Sequence, residues 1–116
     1  GAVICAGAVI CEGAEIRKGA VIYEGAVIYE GAVIRAGAEG IVIHGGYEYT
    51  AGAYYDSKAK KIIIQLGCYH RTIDEWDNDF DNNMFEFPIG SPKHKKRVDI
   101  YSYLKLWALE NLKERV

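Results

Sequence analysis

The stretch Ser91-Pro92-Lys93-His94-Lys95-Lys96-Arg97 carries the densest chemistry in this chain. Serine followed by proline has the form of a helix N-cap and first helical residue. The cations that follow then fall in the opening turns, where each opposes the macrodipole at a cost of about 0.3 to 1 kcal/mol when exposed. A bound anion would offset that cost, because helix-start amides and cations together make an anion site. Ser91, Lys93, Lys95, Lys96 and Arg97 are therefore the candidate ligand-binding residues, for a phosphate-bearing small molecule or a nucleotide. The competing reading is internal: Asp74, Glu75, Asp77, Asp79 and Asp81 supply the counter-charge as exposed pairs, each individually weak.

Two patterns suggest metals and fail on spacing. Cys68 and His70, with Cys5 and Cys11 elsewhere, lack the second closely spaced pair that zinc sites use. Asp77, Asp79 and Asp81 alternate like the start of a calcium loop, but Asn82 stands where glycine is required and Pro88 where a bidentate glutamate is required. No metal is expected.

The elements that must position these residues come from residues 47–116, which read as an α+β cap of a β-hairpin plus two helices. Residues 47–55 and 61–66 are rich in aromatic and β-branched types around a polar DSKAK turn, the pattern of a hairpin. Thr72 and Glu75 have the spacing of a capping box, opening a helix over 73–81. Asn82, Asn83, Pro88 and Gly90 make a loop, and a second helix runs over 92–114. Its apolar stripe is Ile100, Tyr101, Leu104, Trp107 and Ala108, flanked by Leu106 and Leu109.

The first 39 residues repeat in sixes: GAVICA, GAVICE, GAEIRK, GAVIYE, GAVIYE, GAVIRA, before the register breaks at GAEGIVIH. Alanine and isoleucine two residues apart share one face of a strand, so Ala2, Ile4, Ala8, Ile10 and their successors point inward. A glycine at every sixth position permits a corner. The pattern resembles the hexapeptide-repeat family, over residues 1 to about 45. That resemblance implies a left-handed parallel β-helix of about two coils occupying residues 1–46, in a chain that is mostly β. At three hexapeptides per coil, residues eighteen apart stack, Cys5 with Tyr23 and Arg17 with Arg35. Two outer faces are then apolar, carrying Val3, Val21 and Tyr23 on one and Val9, Val27 and Tyr29 on the next, and they point to a homo-oligomer. The segment Ile64 to Trp76 also resembles a small domain that follows hexapeptide repeats in some phage-encoded and prophage-encoded proteins; this covers residues 47–116 and implies no chemistry.

Many members of the repeat family are trimeric acyltransferases using an acyl coenzyme A, with a histidine as general base. His44 is the single histidine near the repeats and so the candidate, against the plainer reading of a histidine at the prism's end. The uninterrupted repeats lack the inserted loop of such enzymes. The expectation is therefore a non-catalytic, oligomeric structural or ligand-binding module needing no cofactor, with an acyl-coenzyme-A-dependent acyltransferase as the alternative.

Composition bounds all of this. In 116 residues, 50% hydrophobic and 26% charged, there is room for one compact domain or two small ones. A net charge of −2 gives no global attraction to nucleic acid or to an anionic membrane, and neither is expected as a partner. Three cysteines without framework spacing, and no signal-like opening, point to a cytoplasmic chain with free thiols. Gly1 starts in phase with the repeat, so further coils are expected to precede it in a longer parent.

Overall fold

The computed structural model describes residues 3–4, 9–10, 15–16, 21–22, 27–29, 32–36, 40–45 and 47–112, with side chains from Ile28 onward. Five two-residue strands open the chain: β1 (Val3–Ile4), β2 (Val9–Ile10), β3 (Glu15–Ile16), β4 (Val21–Ile22) and β5 (Val27–Ile28). Five longer ones follow: β6 (Val33–Ala36), β7 (Gly40–His44), β8 (Ala51–Asp56), β9 (Lys61–Leu66) and β10 (Tyr69–Thr72). Two helices, α1 (Ile73–Asn78) and α2 (Pro92–Asn111), complete the order.

The expected left-handed parallel β-helix is not the fold. The body of the molecule is an open five-stranded antiparallel sheet, β6 to β10 in sequence order, with two helices; β3 joins its β6 edge in parallel. The hexapeptide period does leave a mark, because Val3 pairs with Val21, Val9 with Val27 and Glu15 with Val33, each eighteen residues apart and parallel. Those ladders are two residue pairs long. A β-helix would continue in the same sense, whereas here the chain reverses after Ala36 and β7 runs back along β6, with Ala36 opposite Ile41 and Ile34 opposite Ile43. The reversal falls where the repeat loses its alanine-to-isoleucine spacing, and every later pairing is antiparallel.

Burial follows the alternation. Ile41 and Ile43 are buried while Val42 between them is exposed, and Ile28, Ala32 and Ile34 keep the inward face expected of alanine and isoleucine. Gly40 and Gly52 allow β7 and β8 to approach closely: a Cβ on either would stand 2.5 or 2.6 Å from a backbone carbonyl oxygen, of Ala53 or Ile41. Helix α2 packs on β5, β8 and β9. Its expected stripe from Ile100 to Ala108 is buried, joined by Tyr103 and Arg97, but Leu106 and Leu109 stay exposed.

The helix starts are as expected, and the lengths differ. Thr72 and Glu75 form the capping box, with Thr72 Oγ1 accepting from the Glu75 amide at 3.2 Å and Glu75 Oε1 from the Thr72 amide at 3.0 Å. Helix α1 stops at Asn78 because Asp79 leaves helical geometry (φ −147°, ψ 60°). The hairpin of β8 and β9 starts later than residue 47, and β10 is an unforeseen third strand. It is joined to β9 by Gly67-Cys68 with Gly67 at φ 63°, as a two-residue turn with glycine first requires. Tyr23, Cys5, Cys11, Arg17, Ala2, Ala8 and residues 113–114 lie outside the described residues, as do the side chains of Val3, Ile4, Val9, Ile10, Val21 and Val27. No helix among the described residues is long and apolar enough to cross a membrane.

Candidate functional site

Helix geometry splits the basic run into three directions. Ser91 is the N-cap of α2, its Oγ accepting from the His94 amide at 3.1 Å, with Pro92 at the first position. Lys93 is exposed. His94 Nε2 stands 2.7 Å from Asp81, so one acid of the run does meet the cluster. Lys95 pairs with Asp99 one turn on at 2.8 Å, and Lys96 lies over the Tyr29 ring, 5.5 Å from its centre. The Tyr29 hydroxyl donates to Asp99 at 2.6 Å; burial first, then Asp99, raises its pKa. Lys95 and Lys96 thus fasten α2 to the segment after β5, and Tyr29, expected at an oligomer face, is engaged by that helix.

Arg97 goes the other way, inward, and is 1% exposed. Its Nη1 donates to the Phe80 carbonyl and its Nη2 to Asn82 Oδ1, both at 2.9 Å. The guanidinium lies 4.9 to 5.4 Å from the ring centres of Phe87, Phe80 and Trp76. Among the described residues Nε has no hydrogen-bond partner and Arg97 no ion pair. Ring faces and two neutral oxygens compensate a buried cation only in part. A carboxylate is the usual remedy, since an unpaired buried charge is among the costliest features a fold can carry.

Beside Arg97 lies a cavity of about 500 Å³. One wall is the segment entering β8, with Tyr47, Tyr49 and Thr50; a second is Leu66 and the Gly67-Cys68-Tyr69 turn; a third is Asn83, Glu86 and Phe87. Local structure sets each wall. Gly67 donates its amide to the Thr50 carbonyl at 2.9 Å, and its missing side chain leaves room for Tyr49, since a Cβ there would press on that ring at 3.2 Å. Tyr47 stacks on Phe87 with centres 5.9 Å apart. Asn83 grips its loop, accepting from the Glu86 amide at 3.2 Å and donating to Glu86 Oε1 at 3.1 Å, while the Tyr49 hydroxyl donates to Oε2. The bond to Glu86, before all else, pushes the Tyr49 pKa up to about 12. Burial raises Tyr47 as well, the neighbouring Arg97 opposing it. Both phenols are therefore neutral hydrogen-bonding groups near neutral pH.

Of the remaining candidates only Cys68 touches the cavity. His44 is exposed, its Nδ1 3.4 Å from Thr50 Oγ1. His70 turns to the Tyr54 hydroxyl at 3.0 Å, and Cys68 is a free, exposed thiol on the cavity rim. Asp77 takes the Tyr101 hydroxyl and Lys105, each at 2.7 Å. Among the described residues no three or more His, Cys, Asp or Glu side chains are grouped to hold a metal. Arg97 was grouped with its basic neighbours by sequence, yet a signal for its inward place existed. It precedes Ile100 and Tyr101 by three and four residues, in phase with the apolar stripe. Tyr47, Tyr49 and Glu86 carried no such sign. No protein-family model, no curated protein and no solved structure matches this chain.

Proposed function

We propose that this chain is a non-catalytic binding module that holds a small anionic molecule in the cavity beside Arg97. The observation that carries the reading is a buried guanidinium with no carboxylate partner among the described residues, at a cavity whose size is ordinary for small-ligand sites. Arginine is always charged, so an anion in the cavity lies in the field of a fixed cation that burial leaves poorly screened. Tyr47, Tyr49 and Thr50 add neutral hydrogen-bonding groups, and Leu66 and Phe87 add apolar wall. Two of the three lining phenols, Tyr47 and Tyr49, are shifted upward, away from the range of a general base, which favours binding over turnover. Phosphate-bearing small molecules remain within this class of ligand, but the site that would take them is the Arg97 cavity and not the exposed helix start.

The test is calorimetric titration of the chain with 3-phenylpropionate and with phenyl phosphate. Binding should survive Lys95→Gln with Lys96→Gln, which face Tyr29, and should be lost in Arg97→Gln. Should Arg97→Gln fail to fold, Cys68→Trp, which crowds the rim, should weaken binding in its place. Binding abolished by the lysine changes and untouched by Cys68→Trp would move the site to the helix start.

A further inference from the structure

Arg97 is not the only charge on the cavity. Glu86 lines it too, and the two make no ion pair. Each is instead held by neutral groups of its own. Glu86 receives the Tyr49 hydroxyl and the Asn83 amide; Arg97 gives its two terminal nitrogens to the Phe80 carbonyl and the Asn82 side-chain oxygen. Opposite charges on one concave surface would close on each other if pairing were all that shaped the site, because a close pair in a poorly screened setting is strongly attractive. Here the surrounding hydrogen bonds fix them apart, with rings and the Leu66 side chain lining the space as well.

We infer that the ligand of this cavity is a zwitterion with a compact aromatic or apolar body, its anionic group directed to Arg97 and its cationic group to Glu86, as in a free aromatic amino acid. This rests on the cavity being a binding site, and it narrows the ligand by charge. A dianionic phosphate would meet one cation and one carboxylate of its own sign, whereas a zwitterion meets a partner at each end. The carboxylate of Glu86 can accept further donors, since an ionised carboxylate has about four acceptor positions and two are occupied. Tyr47, Tyr49, Tyr69, Phe87 and Leu66 give the lining an aromatic and apolar character suited to such a body.

Calorimetry on the full chain with four probes separates the possibilities: L-phenylalanine, 3-phenylpropionate lacking the amine, 2-phenylethylamine lacking the carboxylate, and phenyl phosphate. L-phenylalanine should bind about tenfold or more tightly than either singly charged probe, as one added charge-assisted contact gives. Glu86→Gln, which keeps the shape and the Tyr49 contact, should reduce L-phenylalanine to the level of 3-phenylpropionate while leaving 3-phenylpropionate as tight or tighter. Equal or tighter binding of 3-phenylpropionate or phenyl phosphate in the parent would overturn the zwitterion and leave the anion site standing. Tightest binding by 2-phenylethylamine, or no binding by any of the four, would overturn both.

Discussion

The indole N–H of Trp76 donates to the backbone carbonyl of Ile64 at 2.8 Å, with both residues fully buried. This bond ties α1 to the middle of β9 and holds in place one of the three rings around Arg97. Trp76→Phe keeps an aromatic ring but loses the donor and some volume. The expected cost is roughly 1 to 3 kcal/mol, read as a lower urea midpoint with unchanged slope. An unaltered midpoint would mean the bond contributes nothing net.

Thr72→Ala should destabilise by about 1 kcal/mol, the usual worth of an N-cap. Its Oγ1 is the acceptor for the Glu75 amide, and the reciprocal bond from the Thr72 amide holds the Glu75 carboxyl below its usual pKa. Thr72→Ser, which retains the oxygen, should restore most of the loss in the same thermal melts.

Asp77 supplies a pH dependence. Its carboxyl titrates below the usual range because Lys105, then Tyr101, hydrogen-bond to the charged form. A lowered folded pKa means the contribution is present above the unfolded value near ~3.9 and is lost as pH falls through the folded one. The pair is partly exposed, at 35% for Lys105 and 43% for Asp77, so Asp77→Asn should cost at most about 1 kcal/mol at neutral pH. The gap from the parent should close in acid. A gap independent of pH would assign the loss to packing against Tyr101.

Ala32 and Val33 report which way the repeat faces. Ala32 is 3% exposed and Val33 half-buried. Ala32→Leu should overpack the space beside Ile28 and Ile100 and cost roughly 1 to 3 kcal/mol, whereas Val33→Thr should change the denaturation midpoint far less. Equal effects would reverse inside and outside.

The local signals are legible in the sequence and the global one is not. Thr72 with Glu75, and Ser91 with Pro92, mark helix starts through bonds made within a few residues, so they are visible before any tertiary context exists. The hexapeptide period survives as the pairing of Val3 with Val21, but a repeat states only what its own strands do. It could not foretell that β7 would turn back along β6 and recruit β8 to β10 into one antiparallel sheet. The cavity was hidden for a different reason: Tyr49, Gly67, Glu86 and Arg97 come from four separate segments, and only the packed sheet and loop bring them to one place. Arg97 stands in a charged run, but its phase with Ile100, Tyr101 and Leu104 places it inside.

The measurement that bears most directly on the cavity as the functional site is an amide chemical-shift titration of the labelled chain with L-phenylalanine and with 3-phenylpropionate. Perturbations should cluster at 47–50, 66–69 and 83–87, the segments that line the cavity with the Arg97 side chain, and the amides of Lys93 and Lys95 should be little affected. Saturable shifts confined to the first turn of α2, or no saturable shifts with either compound, would contradict the account.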